Sequence, residues 1–197
     1  MPIILGSSSA PRQQVLSQLN LPFSVIKPDV DETSLPGETA ESLVKRLSQE
    51  KAAAVASRTS TPSVIIACDQ VLECEQQPFG KPHTTEGAYQ QLSFFSGKKA
   101  TFQSGLCVLD QRSGQQQTVC CPTHIQFKVL SDQQIHHYLS KTTPFQCAGS
   151  FKSESLGIAL VEYMQSDDPY AILGLPLTHL CNILQQYNID PLSTQSV

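Results

Sequence analysis

The sequence predicts an α/β fold in which a mixed, twisted β-sheet is flanked by helices. Three observations predict it. Apolar runs of strand length, "PIIL" at 2–5 and "VIIA" at 64–67, read as strands covered on both faces. Segments with apolar residues at helical spacing alternate with these runs through the first half of the chain. From 99 to 129, two longer extended stretches are joined by "DQRSGQQQ", a hairpin signal that adds antiparallel strands.

Taken in order, "PIIL" leads through "SSSAPRQQVLSQLN" into a helix, with Ser9 as N-cap, Pro11 in the first turn, and Val15, Leu16 and Leu19 on one face. "FSVIKP" is a second strand. The acidic loop "DVDETSLPGE" precedes a long helix from about 39 to 58, whose apolar stripe runs through Ala40, Leu43, Val44, Leu47, Ala54 and Val55. A strand ending at Asp69 follows, with "VLECE" as its partner, then the turn "QQPFGKP" and a helix over "TTEGAYQQLSFF". After the hairpin come a short helix at "SDQQIHHYL", a loop around "CAGSFKSES", a strand "GIALVEYM" and a closing helix "PLTHLCNILQQYN".

With 197 residues, of which 40% are hydrophobic and 15% charged, the chain can bury a sizeable core. A formal net charge of -4 gives no general attraction for nucleic acid or for an anionic membrane, so neither is expected as a partner. The apolar segment after Met1 is too short for a signal-peptide core or a bilayer span, and a cytoplasmic protein is expected. Seven scattered cysteines without a C-x-x-C pair argue for thiols in a reducing compartment rather than a disulfide framework or a zinc site.

Several residues carry charge where the pattern expects apolar side chains. In "GSSSAPR" a strand runs directly into a helix start, where free N–H groups, Ser7, Ser8, Ser9 and Arg12 can meet an anion. Lys51 lies on the buried stripe of the long helix, so it either snorkels outward or needs an anion inside the fold. Lys81 is fixed between Gly80 and Pro82, and neither "FGKP" nor "SGKKAT" has the glycine spacing of a P-loop. Asp69 interrupts an apolar run, and an unpaired carboxylate there costs several kcal/mol. Arg12, Lys51 and Lys81 together offer positive charge for phosphates, while Glu32 and Asp69 offer hard oxygen ligands for Mg2+ or Mn2+.

In their order and spacing, "GSSSAPRQQVL", "PDVDET", "RLSQEKA", "ACDQV", "GKP", "CAGSFKSES" and "LGLPL" resemble the Maf nucleotide pyrophosphatases from about Ile3 to the last helix. "DQV" and "FKSE" resemble the YceF-like branch. In the branch that handles dTTP and UTP, threonine follows the aspartate and an isoleucine–glutamine pair replaces the lysine and serine before Glu154. At one place the chain departs from the family, with Ala10 and Pro11 before Arg12.

The resemblance implies a single elongated Maf/ITPase-like domain over 1–190 with a nucleotide-binding cleft, and the composition of "PLSTQSV" predicts a flexible tail over 191–197. It implies hydrolysis of a nucleoside triphosphate, here 7-methyl-GTP, to the monophosphate and pyrophosphate with a divalent cation. By matched position Asp69 takes the catalytic acidic role, while the residues themselves offer Ser7, Arg12, Lys51 and Lys81 to phosphate. Glu32 and Asp69 serve the metal, while Pro11, Gln70 and Glu154 set substrate choice. The expected partner is the nucleotide, with a homodimer left open. Two other readings remain at this stage: a dTTP/UTP pyrophosphatase of the same fold, and a nucleotide-binding regulator, for instance of cell division, with little turnover. A thiol sensor on Cys120 and Cys121 is the weakest, since adjacent cysteines bond poorly with each other.

Overall fold

The structure is a computed structural model and describes residues 1–193. In chain order the elements are β1 (Ile3–Gly6), α1 (Ala10–Ser17), β2 (Phe23–Val25), α2 (Ala40–Ala56), β3 (Val64–Cys74), β4 (Gln77–Phe79), α3 (Thr85–Phe95), β5 (Lys99–Asp110), β6 (Gln116–Phe127), α4 (Asp132–Thr142), β7 (Val161–Ser166) and α5 (Leu177–Gln186). The seven strands form one mixed sheet in the order β2-β1-β3-β5-β6-β7, with β4 paired to β3. The expected α/β class is therefore borne out. No helix among the described residues is long and apolar enough to cross a membrane.

The chain divides into two compact units. The first comprises Met1–Asp69, Ser104–Cys121 and the chain from Asp168. In it β1, β2 and the start of β3 run parallel, in a register that sets Ile3 opposite Phe23 and Gly6 opposite Ala67. Strand alternation gives each face of the sheet its own core. Val64, Ile66 and Cys68 of β3 pack with Val15 and Leu16 of α1 and with Leu180, Ile183 and Leu184 of α5. Ile65 and Ala67 turn to the opposite face and pack with Ala52 and Val55 of α2. Gly6 makes room for that helix, since a Cβ there would lie 3.2 Å from Val55 Cγ2.

The second unit comprises Gln70–Gln103 and Pro122–Asp167. Its centre is a group of phenylalanines, Phe79, Phe94, Phe95, Phe127, Phe102 and Phe151, in tilted, stacked and edge-on contacts. Helices α3 and α4 are tied by stacking of Tyr89 on His136 and by the Tyr89 hydroxyl, which donates to Asp132 at 3.0 Å. Both helices begin on good caps: Thr84 accepts from Gly87 N–H, and Ser131 forms a capping box with Gln134.

Several local expectations are corrected. The strand expected to stop at Asp69 continues to Cys74 as one element, because no glycine or proline interrupts it and buried residues, Val71, Leu72 and Cys74, recur beyond Asp69. The segment read as a turn contains β4, paired antiparallel to β3 with Leu72 opposite Phe79. Ser9 occupies the N-cap position of α1, but its side chain makes no capping bond; the Ser7 Oγ accepts the Ser9 N–H at 3.2 Å instead. In "GIALVEYM" only the stretch from Val161 is strand, and Leu156–Leu160 forms a 3-10 helix. Where the described residues end, Ser193 N–H bonds to Asp190 O at 3.0 Å and Leu192 N–H to the Asp190 carboxylate at 2.9 Å, which leaves the expectation of a tail untouched. From 194 onward that tail lies outside the described residues.

Candidate active site

In the first unit the carboxyl ends of β1, β2 and the parallel part of β3 open on one edge, which in open α/β sheets is where ligands bind. Ser7 follows β1 directly. Its register neighbour after the Gly6–Ala67 pair is Cys68, and Arg12 Nη1 donates to the Cys68 carbonyl at 2.8 Å, with a long 3.5 Å contact to Ser7 Oγ. Arg12 stands one turn before the buried Leu16, so helix spacing turns its guanidinium toward the strand ends. The turn after the 3-10 helix Ala171–Leu173 closes over it. Gly174 has φ +82°, and a Cβ there would lie 2.8 Å from Arg12 Nε. Gly174→Ala should cost about 1–3 kcal/mol through the left-handed backbone and the displaced guanidinium. A melting temperature unchanged from the parent would contradict this packing.

The residue after Cys68 completes the alternation. Asp69 shares the face of Ile65 and Ala67, and that face is covered by α2. On α2, Lys51 sits on the buried stripe one turn beyond Leu47 and is 4% exposed. Its ammonium lies 2.5 Å from Asp69 Oδ1 and 2.6 Å from Glu32 Oε1. The choice left open by the sequence, snorkelling or an internal anion, is thus resolved: the anion is Asp69. A buried lysine and a buried carboxylate in direct contact offset each other's desolvation, whereas either one alone would be strongly unfavourable.

Glu32 comes from the acidic loop, and α2 also fixes that loop. Arg46 grips Glu38 with both arms, Nε to Oε1 at 2.7 Å and Nη2 to Oε2 at 2.8 Å, and Nη2 also reaches Thr33 O at 3.1 Å. The Arg46 hydrogen bonds hold the Glu38 carboxyl down at about 2. Asp31 is consumed locally, accepting from the N–H and hydroxyl of Thr33. Burial pushes the neighbouring Cys68 thiol up to about 11, against the charges of Arg12 and Lys51. It therefore remains a neutral thiol.

The second unit holds Gln70, Lys81 and Glu154. Gln70 is half-buried on β3. Lys81, Lys152 and Glu154 all bring their charge to bear on one thiol: Cys147 is raised mainly by burial and further by Glu154, while Lys152 and Lys81 lower it. The "GKP" turn and the "CAGSFKSES" loop also meet through the backbone, with Gly149 N–H donating to Gly80 O at 3.1 Å, and the residues flanking them add His83 N–H to Phe145 O at 3.1 Å. Pro11 is half-buried in the first turn of α1.

No cluster of three or more His, Cys, Asp or Glu side chains suited to a metal occurs among the described residues, "CCPTH" included. All seven cysteines are free thiols, as expected. The carboxylates of Glu32 and Asp69 nevertheless converge on a single cation, the Lys51 ammonium. Two carboxylates converging in this way suit a hard divalent ion that takes its remaining ligands from phosphate and water.

The sequence reading missed Gly174, although "LGLPL" was among the quoted motifs, because nothing local indicates which side chain a glycine turn approaches. It also missed Tyr138 and Gln91, which look like ordinary members of amphipathic helices.

A parallel α/β layer whose strand ends gather an arginine, a serine and a buried lysine–carboxylate cluster defines an α/β protein with an anion-handling site. The Maf-like protein family matches residues 2–187, and the chain belongs to that family. It is 48% identical over 195 residues to a 7-methyl-GTP pyrophosphatase of Pseudoalteromonas translucida, covering 99% of this chain and 96% of the relative. It is 47% identical to one of Nitrosococcus oceani, covering 93% and 92%. Among solved structures, a HAM1 protein from Coxiella burnetii aligns with TM-score 0.51 and 15% identity, covering 94% of this chain and 99% of that one. That likeness concerns the fold alone.

Proposed function

We propose that this protein is a nucleoside triphosphate pyrophosphatase that cleaves 7-methyl-GTP into 7-methyl-GMP and pyrophosphate, clearing modified nucleotides from the cytoplasmic pool. The observation that carries the reading is the Lys51 ammonium held between Asp69 and Glu32 on the face of β3 covered by α2. Support for the substrate comes from the names of the relatives and from "DQV" and "FKSE" in this sequence.

In this reading Asp69 faces the α-phosphorus side of the bound nucleotide and orients the attacking water, accepting its proton. Arg12, fixed by the Cys68 carbonyl, and Ser7 hold phosphate oxygens, and Lys51 offsets the charge that grows as pyrophosphate leaves. Lys81 takes the further phosphate contact that the sequence assigns to it. Glu32 and Asp69 would hold Mg2+ or Mn2+; when bound, such an ion neutralises phosphate charge and makes its water more acidic.

Glu154 accepts hydrogen bonds from the guanine Watson–Crick edge, and its charge suits the cationic 7-methylguanine ring, while Gln70 and Pro11 are the other positions to which the sequence motifs assign substrate choice. Glu154→Gln should then raise KM for 7-methyl-GTP about 10-fold and KM for GTP by less, since the lost charge matters only to the methylated ring. Equal losses on both nucleotides would remove the charge argument.

The deciding experiment is pyrophosphate release with Mg2+ or Mn2+ across 7-methyl-GTP, GTP, dTTP, UTP, CTP and ATP. Preference for 7-methyl-GTP supports the assignment. Preference for dTTP or UTP keeps the reaction and overturns the roles of Gln70 and Glu154. Binding without turnover of any nucleotide would favour a regulatory protein.

A further inference from the structure

The loop that carries Lys152 and Glu154 is held in a strained shape by groups that take no part in the chemistry described above. Gly149 and Ser150 are consecutive residues at positive φ, +59° and +56°. For serine, a buried left-handed conformation costs of order 1–3 kcal/mol and persists only where its surroundings impose it. Three contacts impose it here. The buried Tyr138 hydroxyl on α4 donates to the Ser150 carbonyl at 3.0 Å and accepts the Lys152 N–H at 2.9 Å. The Ser150 hydroxyl donates to Gln91 Oε1 on α3 at 2.6 Å. The other end of the same carboxamide, Gln91 Nε2, donates to the Gly80 carbonyl at 3.3 Å, one residue before Lys81.

The loop is indexed to β3 as well. A Cβ on Gly149 would lie 2.6 Å from Leu72 Cδ1, so the glycine backbone rests on Leu72, two residues along the strand from Gln70 and on the same face. At its far end the loop is closed by Gly157, whose N–H bonds to Lys152 O at 3.1 Å and where a Cβ would lie 2.4 Å from that oxygen. The Tyr138 phenol is pushed up to about 12, chiefly by burial, so it stays a neutral donor and acceptor across the working pH range.

We infer that Tyr138 and Gln91 are positioning residues that lock the 147–155 loop to the Gly80–Lys81 turn and so fix the spacing of Lys81, Gln70 and Glu154 for one nucleotide base. The inference rests on the proposed reading of this loop as the base-recognising segment. Ser150 is the junction: its carbonyl is tied to α4 and its hydroxyl to α3, so neither helix can shift without moving the loop. Glu154 lies two residues beyond the Lys152 N–H that Tyr138 holds.

The test compares the parent with Tyr138→Phe, which keeps the buried ring and removes only the hydroxyl, and with Gln91→Met. Two measurements are made: steady-state kinetics on 7-methyl-GTP and GTP, and backbone hydrogen exchange of segments 147–155 and 79–83. The expected result is faster exchange in both segments, KM for 7-methyl-GTP raised about 10-fold with kcat within about twofold, and a reduced preference over GTP. A fall in melting temperature with the KM values, the preference and loop exchange unchanged would mean a purely structural role and would overturn the inference. If the parent turns over no nucleotide, the functional reading fails. The exchange data then decide the coupling of the two segments by themselves, and unchanged exchange overturns it.

Discussion

If Asp69 carries the proposed chemistry, Asp69→Asn should lower pyrophosphate release about 10^2–10^4-fold while the protein stays folded. The amide is close in shape to the carboxylate, so the packing of β3 against α2 is retained. It can neither accept a proton from water nor balance the ammonium of Lys51, which lies 2.5 Å away. Lys51 keeps Glu32 at 2.6 Å as a counter-charge, which limits the loss of stability to about 1–3 kcal/mol. Pyrophosphate release and thermal melting, measured on the same preparation, separate the two effects. Retention of more than about a tenth of the parent rate would remove Asp69 from the chemistry and leave it a structural partner of Lys51.

Lys51→Met should be the more damaging change to the fold. It leaves Asp69, 8% exposed, without its ammonium, and sets it against Glu32, drawn to the same point. Removing one partner of a buried pair costs about 3–5 kcal/mol. For a chain of this size, that corresponds to roughly 6–20 °C in melting temperature. In the proposed reading turnover should fall as well, since Lys51 is there the cation that offsets the charge of the departing pyrophosphate. The double variant Lys51→Met with Asp69→Leu distinguishes a charge effect from a packing effect. With both buried charges replaced by apolar groups, most of the lost stability should return while activity does not. A double variant no more stable than Lys51→Met would show that the helix–strand packing, and not the unpaired charge, carried the loss.

Much of this protein is legible from local pattern. The period-3.6 stripe of α2 placed Lys51 on a buried face, and the apolar run of β3 marked Asp69 as a carboxylate in need of a partner. Where the reading failed, the reason was non-local. β3 looked like two strands because a charged residue in mid-run resembles a turn, whereas the strand runs on through Asp69, whose charge is met by Lys51 of α2. Ser9 looked like a helix cap, yet it is the Ser7 hydroxyl that takes its N–H, because the chain leaving β1 brings Ser7 back over the helix start.

The sequence by itself determined the residue types and the faces on which they lie: an arginine one turn before a buried leucine, a lysine on an apolar stripe, an aspartate in a buried strand, and the ordered motifs of a Maf protein. Only the tertiary structure decided who meets whom. Lys51 and Asp69 meet because the alternation of β3 turns Asp69 to the face that α2 covers, and which helix covers which face depends on the order β2-β1-β3. Tyr138 and Gln91 gain their roles in the same way. Their sequence neighbourhood is that of ordinary amphipathic helices, and their hydrogen bonds reach a strained loop whose shape neither helix encodes. Periodicity is a property of a short window of residues, whereas the pairing of distant polar groups follows from how whole elements stack.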